Sequence, residues 1–184
     1  MDRYIPPRDV SREAFPESEK SCPGMQILPA DFTPRTCRAI LQVPYAKKSG
    51  RTLHLHLIVP EQKEGEEGKT FPLLLFIQGS AWRQQDLGLN LCNLPQMARR
   101  GFVVALIEYR PSDIAPFPAQ ICDAKTALRF LLRHQEEYSF DPGKVFVWGD
   151  SSGGHTAVMT ALTAHDPTLL DEDGDTQPLP IRGC

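Results

Sequence analysis

A chain of 184 residues, 41% of them apolar and with a formal net charge of -3, has the size of one domain that buries roughly 70% of its unfolded surface. The weak negative charge, without an arginine-rich run, gives no footprint for nucleic acid, and no apolar run reaches the roughly 18 to 20 residues of a membrane span. Five cysteines, Cys22, Cys37, Cys92, Cys122 and Cys184, form no CxxC pair; their odd number and spacing argue against a disulfide framework or a metal site, and reduced thiols are expected.

Residues 1–32 hold Pro6, Pro7, Pro16, Pro23 and Pro29 with little periodicity and read as an irregular N-terminal extension to a domain over 33–184. The start is charged, with no apolar stretch of the kind a secretory signal needs, so a cytoplasmic protein is expected. TCRAILQVPYA (36–46) and RTLHLHLIVP (51–60), joined by KKSG, predict an antiparallel hairpin. EQKEGEEGK is expected to be a solvated loop. FPLLLFIQ (71–78) is a continuous apolar run, as a strand covered on both faces is, and it runs into the small residues of GSAW. A helix is expected over Leu89–Arg100, a buried strand over 101–109, and a long helix over 117–138, where apolar residues recur three and four apart. DPGK makes a turn, VFVW a strand, and 151–165 a helix. Strands that alternate with helices predict an α/β fold, three layers with a mostly parallel sheet behind the N-terminal hairpin. DEDGD (171–175) lacks the loop glycine and distal glutamate of a calcium loop and reads as a solvated acidic segment. The closing IRGC begins a further strand, without whose remainder VFVW would expose an apolar edge.

Two segments carry chemistry. Gly149, Ser151 and Gly153 spell G-x-S-x-G between a strand and a helix. That turn is so sharp that the serine's neighbours must be nearly free of side chain, and it lifts the hydroxyl clear of the sheet. The Ser152 N–H, at the positive end of the following helix, lies where an oxyanion would develop. FIQGSAW ends the preceding strand in a small-residue turn, and the N–H groups of Gly79, Ser80 and Ala81 are candidates for the other donors. GDSSGGHT also nearly fits a phosphate-binding loop, but His155 stands where the lysine belongs, so a degenerate nucleotide binder is the weaker alternative. A catalytically inactive binding module is the other.

Read together, GRTLHLHLIVP, FPLLLFIQGSAW, RRGFVVALIEYRPS, FPAQICDAKTALRFLLRH and DPGKVFVWGDSSGGHTA resemble the N-terminal part of the α/β-hydrolase serine esterases, over roughly residues 38–166. The branch is the one related to bacterial acetyl-xylan and feruloyl esterases, near the hormone-sensitive-lipase-like carboxylesterases. The resemblance implies an acyl-enzyme on Ser151, an oxyanion hole from Ser152 and the 78–82 loop, a small ester with a short acyl chain as substrate, and no metal or organic cofactor. It departs from that family's usual H-G-G-G/A-W at Gln78 and Ser80. YRPSDIAPFPAQ is expected to wall the pocket. In this family the acid and then the histidine follow the serine, yet no Asp or Glu lies between Ser151 and His165, the last histidine. His155 reads as a packed or hydrogen-bonded helix residue, His165 as a helix C-cap, and His54 and His56 as one half-exposed strand face. The acid and base are therefore expected beyond Cys184, which makes the chain an N-terminal part of an esterase with incomplete activity.

Overall fold

Continuous apolar runs become interior strands here because each is covered on both faces. The computed structural model describes residues 9–11, 13–14, 23–24, 26, 35–166, 168–175 and 177–184. The chain divides into two units, Met1–Asp31 and Phe32–Cys184; most of the extension expected over 1–32 lies outside the described residues. In the second unit the elements run β1 (Cys37–Lys48), β2 (Arg51–Pro60), β3 (Phe71–Ile77), α1 (Pro95–Arg99), β4 (Val103–Ile107), α2 (Ala119–Arg133), β5 (Phe140–Gly149), α3 (Ser151–Leu162) and β6 (Ile181–Gly183). They form one sheet in the order β1-β2-β4-β3-β5-β6. β1 and β2 are an antiparallel hairpin, β2 meets β4 antiparallel, and β4, β3, β5 and β6 are parallel. This is the α/β-hydrolase arrangement that the sequence predicts.

Alternation along β3 divides the core. Leu73, Leu75 and Ile77 are fully buried on one face, with Ala124, Ala127, Leu128 and Leu131 of α2 and Ala157 of α3. Phe76, Val104 and Leu106 point to the other face, with Leu94 and Ala98 from the segment around α1. Burying each such leucine or isoleucine contributes about 1.5–3 kcal/mol, so the central strands are the most strongly held part of the molecule. They fix the places from which the loops beyond their C-terminal ends depart.

Several boundaries differ from expectation. The helix expected over 89–100 is only Pro95–Arg99. Before it, Leu89, Leu91 and Asn93 donate to carbonyls three residues back, because Gly88, Asn90 and Asn93 favour turns and Pro95 has no N–H to continue a helix backward. DPGK is incorporated in β5 as an irregularity: Pro72 pairs with Asp141 and Leu73 with Val145. β6 covers the start of the VFVW edge, pairing Ile181 with Val145 and Gly183 with Phe146, while Trp148 stays 43% exposed. The face holding His54 and His56 is more buried than expected. His56 is 4% exposed, and its Nδ1 accepts the Gln42 N–H at 3.1 Å, a donor released where β1 bulges between Ile40 and Val43. His54 pairs with Glu108 at 3.2 Å. Among the described residues no helix is long and apolar enough to cross a membrane.

The acidic segment is exposed at 172–174, as expected, but its carboxylates are also held by cations. Asp171 binds Arg129 at 2.7 Å, Glu172 binds Arg110 at 2.6 Å, and Asp173 meets Lys48 at 3.2 Å and Arg129 at 3.0 Å. The buried Lys125 donates to the carbonyls of Thr163 and Leu169. Beneath them Asp123 is fully buried and pairs with Arg110 at 2.9 Å; burial pushes its carboxyl above the ordinary range, against the pull of the Arg110 hydrogen bonds. Asp173 ends up the other way. Burial alone would raise it, but the Thr126 hydroxyl and the ammonium of Lys48 outweigh that and hold it below the usual carboxylate range.

A carboxyl depressed on folding stabilises above the unfolded range, about pH 4, and that contribution is lost as pH falls through its folded value. Asp173→Asn should lower stability at neutral pH by about 1.5–3 kcal/mol and flatten the acid-side decline of the thermal midpoint. Circular-dichroism melts of both proteins across the acid range read this out; parallel acid limbs would show that Asp173 is not held as described.

Candidate active site

β5 ends at Gly149, Asp150 is the extended N-cap of α3 (φ -113°, ψ 151°), and the helix starts at Ser151. Ser151 has φ 50°, the left-handed region that costs a residue with a β-carbon on the order of 1–3 kcal/mol. Its side chain is exposed, while Ser152 and Gly153 beneath it are buried. The turn closes only because its neighbours lack side chains. A β-carbon on Gly149 would lie 2.5 Å from the Gly153 carbonyl, and one on Gly153 would drive into the backbone carbonyl of Ile77. The residue pattern therefore has a direct steric cause: the helix start is pressed against the end of β3.

That contact brings the two predicted segments together. The Asp150 carboxylate accepts the Gly79 N–H at 2.9 Å, and Ser152 Oγ accepts the N–H groups of Ser80 at 3.0 Å and Trp82 at 3.3 Å. Gly79 admits this approach, since a β-carbon there would sit 2.5 Å from the Asp150 carbonyl oxygen. Ala81 and Trp82 both adopt positive φ, 52° and 56°. The side chain of Ser80, where the resembling family has glycine, turns away from Ser151: its Oγ lies 2.6 Å from the Arg83 carbonyl and 2.9 Å from the Tyr109 hydroxyl. Tyr109, 1% exposed, donates to the Gln78 carbonyl at 2.8 Å. Among the described residues, the Gln78 side-chain oxygen is buried without a partner.

Of the four amides expected to face an oxyanion, those of Gly79 and Ser80 are thus engaged by side chains flanking the serine. Ser152 N–H is a first-turn helix donor, and among the described residues no acceptor stands against the Ala81 N–H. Sequence reasoning missed the side chains of Asp150, Ser152 and Tyr109 as the groups that fix the loop. The signal is the polar pair on either side of Ser151, Asp150 and Ser152.

Two cavities flank the loop. One of about 340 Å³ is lined by Trp82, Ser112, Phe117, Gln120 and His155; another of about 460 Å³ is lined by Arg51, Trp82, Arg83, Ser112 and Asp113 among others. The segment 109–120 walls both. His155, in α3, is exposed; among the described residues its ring has no side-chain hydrogen bond, and it packs edge-on against Trp82 with centroids 5.6 Å apart. His165 is not the cap of α3. That role falls to Thr163, whose N–H and hydroxyl both reach the Met159 carbonyl, and His165 lies exposed beyond it.

The BD-FAE family model matches residues 55–179, which contain Ser151 and both of the segments that meet beside it. The chain belongs to the BD-FAE family. It is 32% identical over 125 residues to a probable carboxylic ester hydrolase, LipM of Mycobacterium tuberculosis, covering 66% of this chain and 29% of that protein. It is 29% identical over 152 residues to esterase LipC of the same organism, covering 78% and 38%. Among solved structures, a thermophilic esterase of Thermogutta terrifontis with butyrate bound superposes with a TM-score of 0.63 at 26% identity, over 78% of this chain and 50% of that one. The chain thus spans about a third of the length of these curated relatives.

Two substitutions separate the strain from the packing. Ser151→Gly should raise stability by about 1 kcal/mol, since glycine accepts positive φ and offsets only part of this through its own chain entropy. Gly153→Ala should lower it by about 1–3 kcal/mol or more, because the obstructing atom is backbone. Urea titrations of the two variants should move in opposite directions; a Ser151→Gly protein less stable than the parent would contradict the strain.

Proposed function

We propose that this chain carries the nucleophile and oxyanion-binding half of a serine carboxylic-ester hydrolase. The observation that supports this most directly is Ser151, exposed at φ 50° on the first residue of a helix whose next N–H, that of Ser152, has no helical acceptor. An ester carbonyl carbon placed over Ser151 Oγ has its oxygen directed toward the amides of Ser152 and Ala81. Gly79 and Ser80 then act through the loop, their N–H groups anchoring it to Asp150 and Ser152. Such preorganised donors stabilise the tetrahedral intermediate without reorganising during the reaction. Loss of one typically costs about 2.7–4 kcal/mol of transition-state stabilisation.

The reaction begins when a general base takes the Ser151 proton as Oγ attacks the ester carbon. The alcohol then leaves with a proton, and water hydrolyses the acyl-enzyme by the same route. We assign the base and its orienting acid to residues outside these 184. His155 is engaged edge-on with Trp82, and the segment between Ser151 and His165 offers no carboxylate. Substrates are small esters whose acyl or alcohol part occupies the cavity between Trp82, Phe117 and His155. The named relatives, carboxylic ester hydrolases and esterases, support the same class.

The test compares the 184-residue chain with the product of the same reading frame continued past Cys184. The longer protein should hydrolyse p-nitrophenyl butyrate and the shorter one should show little turnover. A fluorophosphonate should add to Ser151 of the longer protein, as read by peptide mass, and Ser151→Ala should abolish both labelling and turnover. Full turnover by the Ser151→Ala protein would sink the mechanism; full turnover by the short chain would return the base to His155 or His165.

A further inference from the structure

At the opposite end of the parallel strands from Ser151, a separate cavity of about 450 Å³ gathers six cations: Arg35, Lys63, Lys69, Arg99, Arg100 and Lys144. It lies at the starts of β3 and β5 and the turn before β4, so the length of β3, roughly 20 Å at a strand's rise per residue, separates it from the serine. The chain as a whole is negative, with 20 lysines and arginines against 23 aspartates and glutamates. Among the described residues, no carboxylate lines this cavity.

The cations are partly pre-positioned. The Arg35 guanidinium lies 5.0 Å above the centroid of the buried Phe71 ring and the Lys69 ammonium 5.6 Å from it. One carboxylate, Glu66, holds both, at 2.6 Å each; their hydrogen bonds keep its carboxyl well below the usual range. Lys144 pairs with Asp141 at 3.0 Å. Arg99 and Arg100 are exposed, and among the described residues neither has a carboxylate at ion-pair distance. Arg35, Lys69, Arg99, Arg100 and Lys144 outnumber the two carboxylates that bind any of them, Glu66 and Asp141, and leave an excess of positive charge facing one concavity, of a size that takes small ligands.

We propose that this cavity binds a small multivalent phosphate, a pyrophosphate or the polyphosphate part of a nucleotide, at a site separate from Ser151. Guanidinium groups match phosphate oxygens with paired N–H donors, and only a ligand with several charges can answer cations spread around the whole rim. Glu66 and the Phe71 ring hold two of them in place, and Arg99 and Arg100 carry the charge that is left for a ligand.

Calorimetric titration of the 184-residue chain with inorganic pyrophosphate tests this without any need for turnover. Saturable one-to-one binding that weakens with added sodium chloride is expected. Arg99→Gln/Arg100→Gln should weaken it by about tenfold or more, a free-energy loss of about 1.4 kcal/mol or above. Arg38→Gln/Arg133→Gln, an equal charge change at exposed positions elsewhere, should bind as the parent does. Lys144→Gln gives a second reading should the first double variant melt at a lower temperature. No saturable binding overturns the proposal, as does unchanged binding by both cavity variants. Equal weakening in the cavity and control double variants overturns it too, since attraction would then be diffuse.

Discussion

The top of this sheet depends on one contact between backbones: the start of α3 against the last residue of β3, at Gly153 and the Ile77 carbonyl. No side chain fits there. With it absent, the helix begins immediately after β5, and the hinge residue, Ser151, is forced to positive φ and outward. The same approach puts Asp150 and Ser152 within hydrogen-bond reach of the next loop, so the two segments that carry the proposed chemistry are held by each other rather than by separate scaffolds. Strain at Ser151 is tolerated because the buried strands on either side supply far more free energy than it costs.

The second structural device is electrostatic and binds the chain after α3 to α2, to the end of β1 and to the loop after β4. Arg129, Arg110 and Lys48 take up Asp171, Glu172 and Asp173, while Lys125 satisfies two carbonyls of the same segment. Of these pairs Arg129–Asp171 is buried on both sides and the others are partly exposed; such pairs add little net stability against a well-packed apolar alternative, yet a buried one is costly to break from one side. Their effect is to specify: the segment has one place to lie, and it delivers β6 to the free edge of β5. Burial has a different result at Cys122, on the same helix, whose thiol is pushed up to about 11, so it stays protonated and unreactive at neutral pH.

The two ends of the parallel strands differ in charge. Around Ser151, amides, hydroxyls and aromatic rings stand beside one carboxylate, Asp150, which accepts the Gly79 N–H. At the far end, fixed cations collect around one cavity. The separation follows from chain direction: parallel strands put all their C-terminal loops on one side and all their N-terminal approaches on the other.

The sequence by itself determined the elements, their order, and the two segments that meet at the site. Apolar runs such as FPLLLFIQ, alternation in RTLHLHLIVP and the glycines around Ser151 are local signals, and local sterics decide them. Helix 89–100 failed because turn-forming residues and Pro95 outweighed its apolar spacing. What only the tertiary structure decided are the pairings across distant segments. Ser152 reaching Ser80, Tyr109 under the 78–82 loop, Arg129 on the acidic segment and six cations at one cavity all join residues far apart in the chain. A charged or hydroxyl side chain carries no periodic record of its partner. Whether DEDGD is solvated or clasped depends on which cations the folded sheet and helices bring near it, and that is set by packing geometry rather than by the segment itself.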